Sequence, residues 1–159
     1  MGKINLQKVI IGGLVAGLVL NIFDFVLYGV VLKAQMAAAM QALGKPPVPD
    51  SVIPWFVVLD FVAGVFLVWL YAAIRPRFGP GPGTAVKAGL AVWFVAGLLH
   101  ALFEIPMGLM PQNLMVLTTA VMLVQVPLAT VAGARFYTEG AGMGAGMGSG
   151  AGMGTGARM

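Results

Sequence analysis

The chain has 159 residues, of which 60% are hydrophobic and only 9% charged, with a mean hydropathy of +0.97. A soluble domain carries about 25% charged residues and a chain of this size buries only about two-thirds of its surface, so this much apolar side chain belongs in lipid. The lack of cysteine excludes disulfides, iron–sulfur clusters, thiolate zinc sites and cysteine nucleophiles, and the net charge of +4 comes from a few basic residues at the ends of apolar runs, with no soluble domain to present a nucleic-acid surface.

A helix needs about 20 apolar residues to cross the hydrocarbon core. The first candidate covers about residues 7–32. Lys3 and Lys8 followed by Val9–Leu20 share the pattern of a signal peptide, but no small-x-small cleavage site follows and the apolar run continues through Phe25–Leu32. An uncleaved first helix is therefore expected. The opening Met1-Gly2 lacks Ser or Thr at position 6, so the myristoylation pattern fails.

Lys33–Leu43 carries Met36, Met40 and Leu43 at helical spacing, with Gln35 and Gln41 off that stripe, and reads as a short amphipathic helix on the membrane surface. A Gly-Lys-Pro-Pro turn leads to the second span, about residues 53–74, which Asp50-Ser51 can cap and in which Pro54 suits the first turn. Arg75–Gly83 reads as a tight basic loop. The third span covers about residues 84–105 and stops at Pro106. The fourth covers about 113–136, where Pro127 predicts a kink rather than a break, because neighbouring helices in a bundle re-satisfy the freed carbonyl. Residues 1–139 thus form one four-span domain. Residues 140–159, with glycine at every second position up to Gly156 and Met143, Met147 and Met153 between, read as a flexible Gly/Met-rich tail.

Basic residues set the orientation. With the N-terminus inside, Lys3, Lys8, Arg75, Arg77, Lys87, Arg135 and Arg158 fall on the inner side and only Lys33 and Lys45 on the outer. The expected protein is an all-α, four-helix bundle of the cell inner (plasma) membrane, with both termini cytoplasmic and the lipid bilayer as its first partner.

Each span carries one stripe of small and polar residues. Gly13, Gly17, Asn21, Asp24 and Tyr28 share a face of the first helix, and Asp60, Gly64, Leu67 and Tyr71 share one on the second. The third has Gly89, Trp93, Gly97, His100 and Glu104; the fourth has Thr118, Met122, Gln125, Ala129 and Gly133. Gly13, Gly17, Gly64, Gly89 and Gly97 are candidates for close helix packing. Three of the five acidic residues, Asp24, Asp60 and Glu104, lie in membrane segments, where ionisable groups face a bundle interior or a cavity. Counting from the span midpoints, Asp24, Asp60 and His100 each fall roughly 6–8 Å toward the outer side. The stripes predict one polar cluster in the outer half, made of Asn21, Asp24, Asp60, His100 and Glu104, with Gln125 and Tyr28 as secondary members.

Function is less legible. Intramembrane polar groups bind helices together by hydrogen bonds. The leading expectation is a small non-enzymatic accessory subunit or assembly factor, held together by its polar cluster, in a homo-oligomer or a larger membrane complex. One alternative is proton or small-cation transport by an oligomer through Asp24, Asp60, His100 and Glu104. A further alternative is outer-face handling of Cu(I) or another metal by Met36, Met40, Met107, Met110 and Met115, since thioethers select Cu(I), although methionine also fills gaps in apolar packing. His100 is the only histidine, so paired Glu-x-x-His motifs are absent. No Gly-x-Ser-x-Gly, phosphate loop or His-Glu-x-x-His occurs, and no cofactor is required by the sequence.

Overall fold

The computed structural model describes residues 3–139, so the tail expected to be flexible lies outside the described residues. Within them every regular element is helical. Four helices are long and apolar enough to cross a membrane: Leu6–Val31, Asp50–Phe78, Pro82–Met107 and Gln112–Ala134.

The first span begins with α1 (Leu6–Asp24), where the Asn5 side chain accepts a 3.2 Å hydrogen bond from the Lys8 amide. That satisfies one of the orphan donors of the first turn. At Asp24 the helix passes without a break into a π-helical stretch, Phe25–Val31. A second helix, α2 (Lys33–Ala42), follows at once. A 3₁₀ turn at Asp50–Val52 leads into α3 (Ile53–Phe78), whose Pro54 sits in the first turn, where a missing N–H costs nothing.

Here the structure departs from the expected basic loop. Helix α3 does not stop near Ile74; it runs through Pro76 and ends at Gly79, whose amide returns to the Arg75 carbonyl at 2.8 Å. Gly79 and Gly81 have φ of +82° and +125°, so two glycines make the reversal in a much shorter turn. The third span is composite: α4 (Pro82–Val92), a π-helical stretch Trp93–Leu99, α5 (His100–Glu104) and a closing 3₁₀ turn Ile105–Met107 that takes in Pro106. Helix α6 (Gln112–Ala134) keeps its continuity through Pro127.

In the packed bundle, α1 lies between α3 and α6, and α4 closes the ring against α6 and α3. Small side chains dominate the centre: Ala16, Ala72, Ala85, Ala88 and Ala129 are buried with Leu67 and Val68. Glycines bring the helices to backbone contact. A Cβ on Gly64 would run into the Gly17 nitrogen and the Gly13 carbonyl oxygen. A Cβ on Gly12 would lie 2.5 Å from the Gly133 oxygen, and one on Gly89 2.6 Å from the Pro127 Cα. Such approach replaces missing hydrophobic drive with van der Waals contact between helices. Large side chains such as Phe25, Trp55, Val62 and Phe103 point outward.

The two ends differ. At one end a small apolar cluster, Leu27, Leu32, Ala39 and Leu114, packs α2 against the first and fourth spans. At the other, Tyr137 lies edge-on to Tyr71 with ring centres 5.9 Å apart.

Candidate functional site

The polar residues of the first span emerge where α1 meets α3 and α6. The two contacts are antiparallel: Gly13 and Gly17 face Val65 and Phe61, and Gly12 faces Gly133. This register brings Asp24, Asp60 and Gln125 together. The buried Gln125 donates from Nε2 to Asp24 Oδ1 at 2.7 Å, with a longer 3.4 Å approach to the Leu20 carbonyl. The Asp24 and Asp60 carboxyls lie within hydrogen-bonding reach of each other. A hydrogen bond between two carboxyl groups needs one proton between them. Asn21 caps the group from one side, donating to its own helix at the Gly17 carbonyl (2.9 Å) and across to the Val57 carbonyl (3.4 Å). Tyr28 lies on the other side, within reach of the Thr118 hydroxyl. Thr118 itself donates to the Leu114 and Met115 carbonyls, at 3.0 and 3.1 Å. Three spans therefore meet through side-chain polar groups.

His100 and Glu104 stand apart. They pair with each other, Nε2 to Oε1 at 3.2 Å, on the third span. Among the described residues no three His, Asp or Glu side chains come together. The expected five-residue cluster is thus two separate groups, and helix geometry gives the reason. The alignment of Gly89, Trp93, Gly97 and His100 assumes an unbroken α-helix. The π-helical Trp93–Leu99 has i→i+5 bonding and so more residues per turn, which rotates everything beyond it out of the projected face. The His100 side chain ends 61% exposed. Trp93 stays on the bundle side and donates to the Thr119 carbonyl at 2.9 Å.

The five candidate methionines differ in burial. Met36 and Met110 pack against the Leu27–Leu114 apolar cluster, Met115 is buried, Met40 is half-buried and Met107 is exposed. Of the candidate packing glycines, Gly13, Gly17 and Gly64 meet backbone to backbone, Gly89 lies against Pro127, and Gly97 lies beside its own helix's Trp93 and Met122 of α6.

A second polar assembly lies at the opposite end. Arg75 reaches Glu139 at 3.2 Å and stacks over the Tyr137 ring at 5.6 Å. The Tyr137 hydroxyl accepts from the Asn5 amide (3.4 Å), and the Tyr71 hydroxyl from the Gly81 amide (3.2 Å). The sequence puts Tyr71 on the polar stripe of the second span and Arg75 in a loop. The available signal was the i, i+4 spacing of Tyr71 and Arg75, which puts both on one face once the helix continues past Ile74. A cavity of about 160 Å³ beside Tyr71, Gly81 and Arg135 belongs to this end, and an open groove of about 560 Å³ runs along Asn113, Val116 and Ala120. Neither is lined by Asp24, Asp60 or Gln125. No known protein family, curated protein or solved structure matches the chain.

Proposed function

We propose that the chain is a small non-enzymatic protein of the inner (plasma) membrane, an accessory subunit or assembly factor whose polar cluster locks its own bundle. The observation that carries this reading is the Gln125–Asp24 hydrogen bond with Asp60 beside it, tying the first, second and fourth spans together. The side chains satisfy one another, which is what structural intramembrane polar groups do. The excess of basic residues at the Arg75 end supports cytoplasmic termini. The burial of Ala39 against Leu27, Leu32 and Leu114 supports α2 lying along the opposite membrane surface.

A second reading, proton or small-cation conduction, draws on the proximity of two carboxyl groups, Asp24 and Asp60, at membrane depth. Reconstitution separates the two. An interlock gives liposomes no more proton flux than protein-free vesicles and keeps Asp60→Asn folded; a conductor gives flux that Asp60→Asn abolishes.

A further inference from the structure

One polar group remains without a role in the bundle. His100 and Glu104 form a pair at 3.2 Å, yet their side chains are 61% and 28% exposed, and Phe103 between them is 75% exposed. Helix α5, which carries all three, makes only slight contact with α6 and none of consequence with α1 or α3. The span runs from Pro82 to Met107, which puts His100 about 8 Å from its midpoint. Inside a hydrocarbon core about 30 Å thick, that depth faces acyl chains rather than water. Ionisable side chains at such depth pair, or face protein.

We infer that the His100–Glu104 face of α5 is a homodimer interface, occupied by the same face of a second copy of this chain. Charge complementarity selects this occupant. The pair is self-complementary: His100 spends Nε2 on its own Glu104, leaving Nδ1, and Glu104 spends Oε1, leaving its other oxygen. A two-fold axis along the membrane normal keeps both copies in the same orientation and makes the contact isologous. Each imidazole then lies one helical turn from the other copy's Glu104, and two donors and two acceptors close on one another. Phe103, three residues from His100 on the same side of α5 and 75% exposed, supplies apolar contact beside the polar centre. The inference rests on the bilayer setting and not on the accessory role.

The chain has no cysteine, so a single introduced one reports contact cleanly. Full-length Phe103→Cys, reconstituted in phosphatidylcholine liposomes at high lipid-to-protein ratio and oxidised with copper phenanthroline, is compared with Phe56→Cys. Phe56 is 53% exposed on α3 at a comparable distance from its span's midpoint. The expected result is at least tenfold more disulfide-linked dimer at position 103, falling to the control level when His100→Ala and Glu104→Ala are added. Equal yields at the two positions would mean that only lipid covers this face, and would overturn the inference. So would a selective yield at 103 that ignores loss of the pair. Neither result touches the reading of Asp24, Asp60 and Gln125, which none of these variants alters.

Discussion

Gln125 of α6 donates a 2.7 Å hydrogen bond to Asp24 at the end of α1, joining residues 101 positions apart in the chain. The direction of the side chains makes this meeting favourable. On a helix the Cα–Cβ bonds tilt toward the N-terminus. Because α1 runs antiparallel to α3 and α6, Asp24 leans down its own helix while Asp60 and Gln125 lean the opposite way, toward it. Three short polar side chains so close the gap between three backbones.

Removing that donor leaves Asp24 without its nearest neutral partner. Gln125→Leu, similar in size, is expected to cost about 1–3 kcal/mol, the penalty for stranding the half-buried Asp24 acceptor. Unfolding of the chain in mixed micelles with rising SDS measures it. A change within error would remove this hydrogen bond from the account of stability.

Position 60 tests the chemistry of the contact. Asp60→Asn keeps a donor facing Asp24 and removes the need for a proton between two carboxyls, so it should leave stability unchanged or raise it slightly. Asp60→Leu removes the donor and should destabilise by about 1–3 kcal/mol. Equal loss in both variants would show that the carboxyl acts in some other way.

The glycine contacts make a sharper demand. Gly64→Ala forces a methyl group into the backbone of α1 at Gly13 and Gly17. Overpacking of this kind costs about 1–3 kcal/mol. Gly29→Ala is the control, because its nearest neighbour is the Phe25 ring of its own helix at 3.4 Å. Alanine there gains the helix preference of roughly 0.5–1 kcal/mol over glycine. The two substitutions should therefore shift the SDS midpoint in opposite directions.

At the far end Arg75 holds the segment beyond α6 through Glu139 and Tyr137. The pair is partly exposed, so its direct electrostatic worth is about 1 kcal/mol or less. Arg75→Gln should free residues 135–139 and speed tryptic cleavage after Arg135 up to about fivefold, as a loss of about 1 kcal/mol implies. Cleavage at the original rate would mean that the tyrosine contacts alone hold this segment.

Much of the architecture was legible because lipid imposes it. Four apolar runs, a proline in the first turn of the second span and small residues at three- and four-residue spacing read directly as a bundle with glycine contacts. Gly12 was missed because its stripe is adjacent to the one that carries Gly13; only the Gly133 contact reveals that α1 is glycine-lined on two sides. The site was legible only in part. Asp24, Asp60 and Asn21 lie in regular stretches of α1 and α3, so no change of pitch displaces them from the projected face. His100 and Glu104 lie beyond a π-helical stretch whose extra residue per turn leaves no mark in hydrophobic periodicity. Gln125 lies near the middle of the fourth span, and the opposed lean of the side chains carries its amide to Asp24. The Arg75 end is hidden because Pro76 argues for a loop, yet α3 runs on through it to Phe78 and gives up the hydrogen bond that an N–H at position 76 would make to the Ala72 carbonyl.

The central claim is that the Asp24–Asp60–Gln125 contact is an interlock and not a conduit. The most direct measurement is proton flux into liposomes holding the full-length chain, under an imposed pH gradient and with the potential clamped, beside the same preparation of Asp60→Asn. The interlock predicts that both leak no faster than protein-free vesicles while both remain folded. Flux above that background in the original chain, abolished by Asp60→Asn, would contradict it.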